Sequence, residues 1–143
     1  MKLGMLAILL ALALPATAEP LDEMQAATIY ALAHSVSHLP LPTVPPRIHI
    51  VSKAKLAALS GDPRTSGLHK QGDIYLDEAL DMQDILNASI LFHEYIHYMQ
   101  WVKMGDVQTC LEWRDREIMA YHWQNEVLFK SGVDTIQAPR MEC

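Results

Sequence analysis

Apolar and polar positions along the chain divide it into six regular elements. From Leu21 to Leu39 the residues Leu21, Met24, Thr28, Leu32, Ser35 and Leu39 form one imperfect stripe at helical spacing, which predicts a helix. Asp22 and Glu23 stand at its start, where the helix dipole favours negative charge. Pro40, Pro42, Pro45 and Pro46 then force an extended linker. Arg47 to Val51 is rich in β-branched residues and predicts a strand, and Ser52 predicts the N-cap of a short helix from Lys53 to Leu59. Ser60 to Gly72 is polar and holds Gly61, Pro63 and Gly67, so it is predicted as a loop. Gly72 to Asp77 predicts a second strand, with Ile74 and Leu76 on one face.

No Pro or Gly interrupts the chain between Gln83 and Met104, and the apolar residues there predict a long helix. Asp81 or Asp84 caps it, and it ends near Gly105. After the turn at Gly105-Asp106, a last helix is predicted from Gln108 to Lys130, closed by Ser131-Gly132. The tail from Val133 to Cys143 reads as irregular. Helix, strand, short helix, strand and two long helices make an α+β fold dominated by helices, with a small sheet. Trp101, Trp113, Trp123, Met99 and Met119 are expected to pack the two long helices together.

The start of the chain has a pattern of its own. Lys2 precedes an apolar run from Leu3 to Leu14, and Pro15-Ala16-Thr17-Ala18 follows. A basic start, a short apolar core and an Ala-x-Ala end predict a Sec-type signal peptide over residues 1–18, cleaved before Glu19. The run is shorter than the roughly 20 residues a membrane span needs. Residues 19–143 then form a single domain, which is expected to be periplasmic or secreted. The chain carries 11 Lys and Arg against 17 Asp and Glu, a net charge of −6, with no basic patch. Nucleic acid is therefore not an expected partner. Export also suggests a disulfide between Cys110 and Cys143, the chain's 2 cysteines.

Within the first long helix stands His93-Glu94-Tyr95-Ile96-His97. Residues four apart share a helix face, so both imidazoles can close on one metal ion. Glu94 is next to the first ligand, where a carboxylate can take a proton from an attacking water. The bland alternative is two structural His and a solvated Glu. Burying three such groups with no ligand is costly, which favours the metal site.

A catalytic zinc has three protein ligands and an open position. The His-x-x-Gly-x-x-His continuation is excluded, because Lys103 and Gln100 occupy the positions it needs. The next helix offers Glu112, Asp115, Glu117 and Glu126. Glu117 is preferred: the distance from His97 allows one helix to end and the next to return antiparallel, and small Ala120 one turn on permits close approach. Its alternative is a solvated carboxylate paired with Arg114 or Arg116.

His93-Glu94-x-x-His97 followed by Glu117-x-x-Ala120 resembles the gluzincin metallopeptidases over about Leu86 to Glu126. That resemblance implies zinc held by His93, His97 and Glu117, with Glu94 as general base, in a minimal zincin-like domain. One departure is Tyr121, which stands where many gluzincins carry an Asp that orients a ligand His. Tyr121 and, less well placed by helical phase, His122 are candidates to stabilise the oxyanion; Tyr121 reads equally as a core aromatic. In this clan an edge strand before the motif helix holds the peptide, which points to Asp73–Asp77. His34, His38, His49 and His69 read as surface positions. The expected activity is zinc-dependent hydrolysis of a peptide or protein substrate. Alternatives are a zinc-bearing envelope protein without turnover, and a zinc amidase acting on cell-wall fragments.

Overall fold

The computed structural model describes residues 18–143, so the predicted leader lies outside the described residues except for Ala18. The elements are α1 (Glu23–Ser37), β1 (Arg47–Val51), α2 (Lys53–Ser60), β2 (Gly67–Lys70), β3 (Asp73–Asp77), α3 (Ile85–Met104) and α4 (Cys110–Lys130). This is the helix-dominated α+β fold, with a small mixed sheet.

α1 starts where the Asp22 carboxylate accepts the Gln25 N–H and stops at His38, whose φ of 57° is left-handed. Its buried face differs from the predicted stripe. Ile29 and Ala33 are buried, whereas Met24 is 80% exposed. Tyr30 decides the orientation: its ring packs 4.9 Å from that of Tyr95 on α3, and its hydroxyl donates to the Pro42 carbonyl.

The sheet order is β1-β3-β2, with β1 parallel and β2 antiparallel to β3. β2 lies inside the predicted loop. Gly-Leu-His-Lys has no β-branched or aromatic residue to mark it as a strand. Gln71 and Gly72, with φ of 51° and 86°, form the two-residue turn of positive φ that fits hairpin twist. β3 is consequently the middle strand, not the edge, which corrects its predicted substrate-holding role.

Ile74 and Leu76 of β3 pack with Phe92, Tyr95, Ile96 and Met99 of α3 in the main core. Leu56 is buried outside that cluster and seats α2 against β2 and β3. α3 is buried on most of its circumference because α1, the sheet and α4 surround it. Asp84, rather than Asp81, caps α3 by accepting from the Leu86 and Asn87 N–H groups. α4 begins at Cys110, later than predicted, because Thr109 is its cap. Ser89 pairs with Gln124 and Gln100 with Arg116, so α3 and α4 are antiparallel, with fully buried Ala120 between them. Trp101 and Trp123 pack against the core, with Trp101 beside His69 and the Gly72 turn, whereas Trp113 and Met119 are each 39% exposed. Cys110 and Cys143 are joined in a disulfide. Among the described residues no helix is long and apolar enough to cross a membrane.

Candidate metal centre

α3 and α4 bring three predicted ligands to one point. His93 Nε2 and His97 Nε2 are 3.0 Å apart. The Glu117 carboxylate lies 3.4 Å from His93 Nε2 and 3.1 Å from His97 Nε2. Ligand bonds of 2.0–2.1 Å in a tetrahedron leave ligand atoms about 3.3 Å apart, so this spacing fits a zinc-sized ion. Glu117 does not pair with its neighbouring arginines. Arg116 binds the Glu112 carboxylate and the Gly105 carbonyl, and Arg114 reaches Asp115.

Two glutamines fix which nitrogens face the cluster. Gln100 Nε2 donates to the Arg116 carbonyl at 3.1 Å, and a carbonyl can only accept. Gln100 Oε1 therefore faces His97 Nδ1, 2.9 Å away, and that nitrogen carries the proton. Likewise, Ser89 Oγ gives its proton to the Leu86 carbonyl. It must accept from Gln124 Nε2 at 2.8 Å, which turns Gln124 Oε1 onto His93 Nδ1 at 2.9 Å. Both Nε2 atoms are left with lone pairs, aimed at each other and at a carboxylate. Three acceptors on one point require a cation, either a metal ion or a shared proton. Such partners orient metal-bound His residues and raise their basicity. Gln124 had no signal in the sequence beyond its place two turns after Glu117.

The charges follow the geometry. Burial works against a charged Glu117, but hydrogen bonds and charge from His93 and His97 outweigh it and hold the carboxyl far below its ordinary value. Burial also opposes charge on His97, yet Glu117 raises its pKa. Glu94 is raised chiefly by burial; His93 and His97 oppose this and the Glu117 charge adds to it. Tyr121 is raised by burial and by the charges of Glu117 and Glu94. Its ring meets that of His93 edge-on at 4.5 Å. Among the described residues its hydroxyl has no hydrogen-bond partner, unlike a core tyrosine tied to the backbone. His122 is exposed and meets the Trp123 ring edge-on, away from the cluster.

β2 forms the rim of the site. The Asp77 N–H donates to the Ser66 carbonyl at 3.0 Å, which sets the phase of the β2–β3 ladder. By its alternation, the main-chain groups of Gly67 and His69 point away from β3, toward the free edge. The His69 N–H lies near the Glu94 carboxylate and lowers its pKa. Gly67 allows this approach: a Cβ there would stand 2.6 Å from Ile90 Cγ2 and 3.0 Å from Glu94 Oε1.

His69 is not the exposed residue predicted. Its ring packs beside those of Tyr98 and Trp101, and its Nε2 accepts the Gly72 N–H at 3.2 Å. Burial and nearby His97 lower its pKa to about 4, so the ring is neutral. His49 pairs with Asp73, and His34 with the Leu39 carbonyl.

The cluster opens into a cleft of about 920 Å³, lined by Glu94 and Tyr121 beside the three ligands, by β2, and by Ile136 and Pro139 of the tail. No protein-family model, curated protein or solved structure matches the chain.

Proposed function

We propose that the chain is an exported zinc-dependent metallopeptidase of gluzincin type. The observation that carries this reading is His93, His97 and Glu117 converging beside Glu94 on the floor of an open cleft. Zinc bound there would supply a Lewis acid and a source of hydroxide near neutral pH. The glutamine-fixed tautomers leave the Nε2 lone pairs of His93 and His97 for the ion.

Glu94 accepts the proton from the attacking water and passes it to the leaving amine. Its raised pKa brings it closer to working pH than an exposed carboxylate. Tyr121, with its hydroxyl free and its pKa raised, keeps its proton and donates to the developing oxyanion. The free edge of β2 takes an extended peptide by strand addition, through the main-chain groups of Gly67 and the His69 carbonyl that its register leaves unpaired. The disulfide and the predicted leader support a periplasmic or secreted location.

The test is Glu94→Gln, measured for zinc content and for cleavage of a broad peptide library. The variant is expected to keep one zinc and lose turnover by two to four orders of magnitude, roughly the contribution of a general base. If the unaltered zinc-loaded protein leaves the library uncut, a zinc-bearing binding protein replaces this reading. Cleavage of peptidoglycan fragments alone would replace it with the amidase.

A further inference from the structure

The tail after α4 is irregular in hydrogen bonding but tied at two places. Asn125 of α4 holds Ile136 at both main-chain groups, donating to its carbonyl at 2.9 Å and accepting its N–H at 2.8 Å. The disulfide ties Cys143 back to Cys110, at the first turn of the same helix. From Cys110 to Asn125 the helix rises about 22 Å. The chain from Ile136 to Cys143 reaches at most about 25 Å. The tail therefore runs antiparallel to α4, along the helix face that carries Glu117 and Tyr121.

This strap lines the same cleft as β2. β2 lies against α3, while the strap is fastened to α4, so the two flank the floor that carries the metal cluster. It does not fill the cleft. Among the described residues no strap atom bonds to His93, His97, Glu94, Glu117 or the free edge of β2. What it presents to the cleft is apolar: Ile136 and Pro139.

We propose that the disulfide-clamped tail is the second wall of the substrate groove, facing β2 across the metal cluster, and that it selects an apolar substrate side chain through Ile136 and Pro139. The clamp keeps a short, otherwise unstructured segment in place, so the ordering entropy is not lost again on each binding event. Reduction of Cys110–Cys143 frees the wall without touching the metal ligands. This inference rests on the metal-centre reading above.

The experiment measures the affinity of two hydroxamates for the zinc-loaded protein. Acetohydroxamate reaches only the metal, and N-acetyl-leucine hydroxamate adds an apolar side chain. Three proteins are compared: the unaltered chain, Ile136→Ala with the clamp intact, and Cys110→Ser/Cys143→Ser. Acetohydroxamate is expected to bind all three alike. N-acetyl-leucine hydroxamate is expected to weaken about tenfold in both variants, as for loss of one or two buried methylene contacts. An unchanged ratio of the two affinities overturns the wall. Tighter binding after unclamping also overturns it and makes the tail a plug. If neither hydroxamate binds the unaltered protein, the metal centre itself fails, and the wall with it.

Discussion

Gln124 Oε1 stands 2.9 Å from Nδ1 of His93, held there by a hydrogen bond from the Gln124 amide to Ser89. The relay ends on a carbonyl, which leaves one tautomer of His93. Gln124→Leu removes the acceptor and frees the ring. Zinc affinity is expected to fall 10- to 100-fold with the helical signal retained. Competition against a chelator of known affinity checks this; an unchanged constant would show that the relay does not act on the metal.

Gly67 has an ordinary negative φ, so its need for glycine is steric. Gly67→Ala puts a methyl against Ile90 and Glu94. We predict a loss of about 1–3 kcal/mol, the usual cost of overpacking, together with a lowered turnover number as Glu94 is displaced. Ile90→Ala in the same chain opens space on one side and restores much of the stability, but not all of the turnover. Urea unfolding and steady-state kinetics on both variants separate the two effects.

In the metal-free protein a proton takes the place of the cation. His97, with its pKa raised above 6.5, contributes stability that is fully present below pH 6.5 and is lost as pH rises through the raised value. Glu117, depressed below 4.5, contributes stability that is present above pH 4.5 and is lost as pH falls toward its depressed value. The two overlap between about pH 4.5 and 6.5. Zinc must displace the proton, so its stabilisation runs the other way. Calorimetric Tm with and without chelator should show a larger zinc increment at pH 8 than at pH 5.5. Equal increments would mean that no proton is displaced.

The long elements were legible in the sequence because each carries many coherent signals. α3 has an uninterrupted apolar run and an Asp cap, and its His-Glu-x-x-His run places three groups by helical geometry alone. Glu117 was legible from the space a returning helix needs. β2 was not, since four residues with a glycine and a lysine carry no strand propensity, and pairing to β3 through the Gln71-Gly72 turn creates the strand. That omission put β3 at the edge and His69 on the surface. α1 was turned onto the wrong face because Met24 and Leu32 looked like core, while Tyr30 found its partner in distant Tyr95. The orienting roles of Gln100 and Gln124 were not legible, because glutamine at a helix position signals nothing until the opposing imidazole is located.

Whether His93, His97 and Glu117 hold one metal ion is decided by zinc titration of the chelator-stripped protein comprising residues 19–143. One equivalent is expected to bind the unaltered protein, none to be retained by His97→Ala, and affinity to fall markedly in Glu117→Ala. Absence of binding in the unaltered protein, or affinity undiminished in Glu117→Ala, would contradict the three-ligand site.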